Sequence, residues 1–126
     1  MNSELVYIAG SDANRSFMSA EAKLTELGIE LPPAPPRGGV YNPLVTVGNL
    51  AYLSGHGPYQ ADGTYITGRV GEDLTLEDGQ QAARQVGLAL LATIKAELGS
   101  LDRVKRVIKS LAFVNCTADF LSLIHI

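Results

Sequence analysis

The spacing of apolar residues changes character several times along the chain. Ser19 to Leu27 reads as a short helical run, with Ser19 as N-cap, Glu21 favouring the N-terminal dipole and Gly28 placed to end it. Leu31-Pro32-Pro33-Ala34-Pro35-Pro36 must then be extended, because proline fixes φ and restricts the residue before it. Two strand-like runs follow, Leu44–Val47 and Leu50–Leu53. The Gly48-Asn49 pair between them tolerates the positive φ of a primed turn, so they are predicted to form a hairpin. Asp62-Gly63 is a second turn signal, between Tyr59 and Tyr65-Ile66. From Thr75 the period becomes four: Val86, Leu90, Ile94 and Leu98 fall on one helical stripe, with Ala83 and Leu91 beside it. Thr75 is the predicted N-cap and Gly99 the stop. Arg103 to Val114 then reads as a strand whose compact face, Ile108, Ser110, Ala112 and Val114, suits close packing under a helix.

This order of elements predicts an α+β layout, with one long helix on one side of a largely antiparallel sheet. One such helix over three or four strands makes a thin core. Residues 1–17 lack periodicity and mix Ser, Asn, Asp and Gly, so they are expected to be a leader, disordered or upstream read-through, with the domain proper over 18–120. Residues 121–126, Leu121-Ser122-Leu123-Ile124-His125-Ile126, follow without a turn signal and resemble the in-frame translation of a transposase sequencing adapter. They are set aside as a scar.

Composition narrows the class. At 126 residues the chain fits one domain, and 46% apolar residues with 18% charged is too hydrophobic for a disordered tail. No apolar run approaches the ~20 residues of a membrane span, and no basic segment leads into an apolar one as in a secretory signal. The expectation is therefore a cytoplasmic protein with no membrane partner. A net charge of −3 argues against a nucleic-acid partner, whose phosphates would call for clustered basic charge. A lone cysteine, Cys116, offers neither a disulfide nor zinc-ligand spacing.

Local motifs carry little chemistry. Gly55-His56-Gly57 begins a glycine-rich pattern, but Gln60 stands where a dinucleotide fingerprint needs a small residue. His56, just after a strand, is either a proton-handling or ligand-contacting group or a hydrogen-bonded loop histidine. Cys116 reads as a small, partly buried residue. Arg103, Lys105, Arg106 and Lys109 form a basic cluster whose simplest role is a solvated strand edge.

Gly39 to Pro58, with Tyr41 entering the sheet, the Gly48-Asn49 hairpin and a strand ending in Ser54-Gly55, resembles the opening of a RidA/YjgF-family domain, also called endoribonuclease L-PSP or chorismate-mutase-like. Here His56 replaces the family's usual Gln. Leu74 to Arg84 resembles the start of the family's long helix, and Leu101–Val107 with Phe113-Val114-Asn115 its next strand. The resemblance covers 18–120. It implies a chorismate-mutase-like fold, a long helix on a mixed, mostly antiparallel sheet, assembled as a homotrimer with clefts between subunits. It further implies a C-terminally truncated copy without the second helix and closing strands. Better-known members hydrolyse reactive enamines and imines to 2-keto acids and ammonia, a 2-iminobutanoate/2-iminopropanoate-type deaminase activity without metal or other cofactor. The ligand would be a small imine, enamine or keto acid. On that pattern Tyr41, Ser54, Gly55 and His56 are the substrate-binding positions. The family's carboxylate-gripping arginine and water-positioning acid are expected past Phe120, so this form is expected to be inactive. A metabolite-binding trimer without catalysis is the alternative; the ribonuclease label fits an acidic chain with few aromatics least.

Overall fold

A computed structural model describes residues 2–8 and 19–120. The caps fall where the sequence places them. Helix α1 spans Ala20–Glu26, with the Ser19 side chain accepting the Ala22 N–H at 3.0 Å and Gly28 at φ +62° beyond its end. The long helix α2 spans Leu76–Leu98. It opens with a capping box in which the Thr75 hydroxyl accepts the Asp78 N–H and the Asp78 carboxylate accepts the Thr75 N–H. Gly99, in the left-handed region, closes it. The predicted apolar stripe is buried: Val86, Leu90, Ile94 and Leu98 all face the core.

Four strands form one sheet: β1 Asn2–Ile8, β2 Leu44–Val47, β3 Leu50–His56 and β4 Val104–Leu111. Their spatial order is β2-β3-β1-β4, and every neighbouring pair runs antiparallel. Strands β2 and β3 make the expected two-residue hairpin, pairing Val47 with Leu50 and Leu44 with Leu53 across Gly48 at φ +58°. Leu44, Ala51 and Leu53 point at α2, whereas Val45, Val47 and Tyr52 lie about half exposed on the opposite, open face. Two helices and an antiparallel sheet thus give the expected α+β, chorismate-mutase-like layout. Among the described residues, parallel pairing is confined to isolated bridges, Val70 with Leu74 and Val70 with Cys116.

Two expectations need correction. The stretch read as a loose leader contains β1, which sits between β3 and β4 and buries Val6 completely and Ile8 almost so. Burying both side chains contributes about 3–6 kcal/mol at about 1.5–3 each, a large share of the about 5–15 kcal/mol that holds a domain together. Its apolar residues form one short unbroken run, Leu5-Val6-Tyr7-Ile8, with no alternation, which is why periodicity hid it. The last strand is also shorter than predicted: a 3₁₀ turn, Leu101–Arg103, precedes β4, and the chain leaves the sheet after Leu111. Its supposed packed face is open. Ile108, Ser110 and Ala112 are exposed because α2 lies over β2, β3 and β1 and covers little of β4. Residues 9–18 and the tail assigned to an adapter lie outside the described residues.

Glu21 fastens α1 to the far end of α2. Its carboxylate accepts from Lys95 Nζ at 2.6 Å and from the Leu101 N–H at 3.0 Å, while the Glu21 N–H donates to Asp102 at 3.1 Å. Chiefly the Lys95 hydrogen bond, and then the Leu101 N–H, hold this carboxyl below the usual carboxylate range.

Candidate functional site

A small cleft of about 60 Å³ opens where β3 ends, between the proline-rich lead-in and the loop after the sheet. Its lining includes Arg37, Tyr41, Gly55, His56 and Tyr65. Three of the four residues singled out from the sequence therefore meet in one place. Tyr41 is exposed, and its hydroxyl accepts the Gly38 N–H at 3.3 Å, so the ring folds back over the glycines that precede it. A Cβ at Gly38 would meet that hydroxyl at ordinary contact distance, 3.4 Å. Gly57 is placed more tightly: a Cβ there would lie 3.2 Å from the Tyr65 ring. Tyr65 in turn stacks edge-on against Tyr59, with centroids 5.2 Å apart, and fixes the loop around the predicted Asp62-Gly63 turn.

Ser54 does not line the cleft. Its hydroxyl donates to the Asn42 carbonyl at 2.7 Å and its N–H to the Pro43 carbonyl at 3.0 Å, so it ties the segment carrying Tyr41 to the end of β3. His56 borders the cleft but is 7% exposed, and both ring nitrogens are engaged. Nδ1 lies 2.7 Å from the Ser54 carbonyl oxygen and Nε2 2.7 Å from the Thr93 hydroxyl on α2. A carbonyl only accepts, so in the neutral ring Nδ1 carries the hydrogen and Nε2 accepts from Thr93. The geometry favours the hydrogen-bonded loop histidine over a free proton-handling group.

Two cleft residues escaped the reading of the sequence. Tyr65 had no signal beyond its turn. Arg37 follows the prolines with no motif of its own, yet it is the cation lining the cleft, next to the extended Pro32–Pro36 segment that leads to it. The basic cluster predicted on the last strand lies elsewhere, Arg103 in the 3₁₀ turn and Lys105, Arg106 and Lys109 on β4. Among the described residues no group of three or more His, Cys, Asp or Glu could hold a metal, and no helix is long and apolar enough to cross a membrane.

Residues 21–122 match the family model described as YjgF/chorismate_mutase-like endoribonuclease. Protein TCP17 of Trypanosoma cruzi is 41% identical over 99 residues, covering 79% of this chain and 62% of that protein. Two solved structures share the fold. A proposed endoribonuclease from Shewanella oneidensis MR-1 superposes with a TM-score of 0.65 at 34% identity, over 70% of this chain and 58% of its own. Atu1372 from Agrobacterium tumefaciens, of unknown function, gives 0.57 at 38% identity, over 68% and 51%. The chain spans 51–62% of the length of these relatives. The family match runs to residue 122, two residues past the bound of 120 read from the sequence.

Proposed function

Because the chain belongs to the YjgF/chorismate-mutase-like family, we propose that its cleft binds a small 2-imino acid and promotes hydrolysis to the 2-keto acid and ammonia. The observation that carries this reading is Arg37 lining the same cleft as Tyr41 and Tyr65 at the end of β3. A guanidinium matches a carboxylate with two parallel hydrogen bonds, a geometry lysine cannot supply. The imine carbon is already electrophilic, so the protein need only hold the acid and admit a water. Water adds to the C=N carbon, a proton moves to nitrogen, and the resulting carbinolamine expels ammonia as its hydroxyl becomes the ketone. In this reading Tyr41 and Gly55, both on the cleft lining, orient that water, while Ser54 and His56 hold the wall from behind. The exposed Val45, Val47 and Tyr52 on the open sheet face form the surface on which subunits associate as a cytoplasmic homotrimer.

The test is keto-acid release from an imine generated in situ by an amino-acid oxidase. With Arg37 taking the carboxylate-gripping part first expected past Phe120, the chain is expected to accelerate release rather than be inactive, and Arg37→Ala to lower kcat/KM by about 10- to 100-fold, matching the about 1.5–3 kcal/mol of a charge-assisted hydrogen bond. Arg37→Lys should recover only part of it. A folded protein that binds keto acids without acceleration is instead a metabolite-binding module of the same fold. Cleavage of RNA by the same preparation, abolished with the cleft variant, would favour the ribonuclease description that its relatives carry.

A further inference from the structure

The cleft encloses less than a whole 2-imino acid. Its volume, about 60 Å³, equals that of about two waters at about 30 Å³ each, so a carboxylate beside Arg37 fills most of it. The rest of an acid bound there lies at the rim. Tyr65 lines the cleft and is nonetheless 46% exposed, so part of its ring faces solvent beside the cation. Among the described residues its hydroxyl makes no hydrogen bond, and the contact the residue does make is through its ring.

That ring is held in place although it is exposed. Tyr59 and Tyr65 pair across an antiparallel bridge. The Gln60 N–H donates to the Thr64 carbonyl at 2.9 Å and the Ile66 N–H to the Pro58 carbonyl at 3.1 Å, closing the loop on either side. The two rings meet at 60°, the edge-to-face arrangement that aromatic pairs favour. Gly57 leaves the ring its space, since a Cβ there would come within 3.2 Å of both Cδ1 and Cε1. Behind the pair, Gln85 on α2 donates to the Tyr59 carbonyl. A ring fixed in advance offers a ligand contact area at little cost in side-chain entropy, the property that makes tyrosine frequent in binding surfaces.

We infer that Tyr65 is a platform for the substrate's side chain, and that the cleft prefers 2-imino acids with a branched or aromatic apolar side chain over those with a methyl group. This rests on the reading of the cleft as a 2-imino-acid site and adds the class of acid it takes. Arg37 answers the carboxylate that every such acid carries, so it does not discriminate among them. A methyl group covers little of an aromatic ring. A larger apolar side chain at the open rim meets no wall and removes both itself and the ring from water. One side of it is covered rather than all of it, so the preference is about 4- to 12-fold, half the free energy of complete burial.

The experiment compares two acids on each preparation of the full chain. Titration calorimetry reads the binding of 4-methyl-2-oxopentanoate and of pyruvate. Release of the same keto acids from the imines that an amino-acid oxidase forms from leucine and alanine gives kcat/KM. The parent should favour the leucine-derived acid by about 4- to 12-fold in both readouts. Tyr65→Ala should bring that ratio below about twofold, and Tyr65→Phe, which keeps the ring, should retain it. Arg37→Ala should weaken both acids alike and leave the ratio in place. Each ratio is taken on one preparation, so a loss of folded protein cancels from it. A parent that favours pyruvate, or a Tyr65→Ala ratio equal to the parent's, overturns the inference; release from the alanine-derived imine then still upholds the imine reading. A parent that neither binds nor accelerates either acid overturns that reading, and the inference with it.

Discussion

Replacing Thr93 by Val distinguishes a structural His56 from a proton-handling one. The substitution keeps the side-chain shape and removes the hydroxyl that reaches His56 Nε2 at 2.7 Å. Thr93 is 2% exposed and His56 7%, so solvent cannot take the hydroxyl's place without the site opening. A buried acceptor left without a partner costs about 1–3 kcal/mol. In a domain of this length that shifts the melting temperature by about 3–15 °C, from about 3–5 °C per kcal/mol. Thr93→Ser, which keeps the hydroxyl and loses one methyl, should cost under about 1.5 kcal/mol. The assay is urea unfolding of the parent and both variants. A lower midpoint at unchanged slope is read as lost stability rather than an altered denatured state. If Thr93→Val stays within about 0.5 kcal/mol of the parent, or matches Thr93→Ser, the hydroxyl does not serve His56 and the reasoning fails. The same logic sets the activity expectation: His56→Gln, whose amide can donate to the Ser54 carbonyl and accept from Thr93, should retain more keto-acid release than Arg37→Ala.

Thr75→Ala removes one half of the capping box and should destabilise α2 by about 1 kcal/mol, read by helical circular dichroism during thermal unfolding. Val6→Ala should cost about 2 kcal/mol, because it deletes two buried methyl groups from β1, whereas a dispensable leader would lose nothing. Glu21 carries a pH signature. Its carboxyl is lowered from 4.5 in the folded chain, so it binds fewer protons folded than unfolded around that pH. Its stabilising contribution is complete above 4.5 and is lost as the pH falls through the lower folded value. The gap in stability between parent and Glu21→Gln should therefore shrink on acidification and also narrow with salt, since the Lys95 partner is half exposed.

Most of the framework was legible because local chemistry and tertiary demand agree. Ser19, Gly28, Thr75 and Gly99 mark helix ends by satisfying orphan backbone groups, and Gly48-Asn49 marks a turn that few other pairs can form. The long helix shows itself through a four-residue apolar period that no strand produces. What was not legible depends on neighbours far away in sequence. Strand β1 is recognised only by the gap between β3 and β4 that it fills, and the open face of β4 only by where α2 stops covering the sheet. Among the site residues, Tyr41, Gly55 and His56 could be placed near a strand end by pattern. That Ser54 braces Asn42 and Pro43 rather than facing the cleft follows from a contact across the hairpin segment. Arg37 became visible only once the prolines before it had a direction.

The cleft's walls have separate origins but share a strut. Ser54 ties the Tyr41 segment to β3, and His56 ties the end of β3 to Thr93 on α2. The loop that carries Tyr65 reaches the same helix through Gln85, whose side chain donates to the Tyr59 carbonyl. Gln85 and Thr93 are eight residues apart, about 12 Å along the helix axis, so two turns of α2 set the positions of both the β3 wall and the tyrosine wall. Thr75 lies at the helix end beyond Gln85 and touches neither wall. Losing its cap should lower stability while the surviving folded fraction keeps its affinity for a small acid. Disturbing Gln85 or Thr93 should weaken that affinity even where the fold persists. Stability and binding are therefore separable along one helix, and the point of separation is the stretch that backs the cleft.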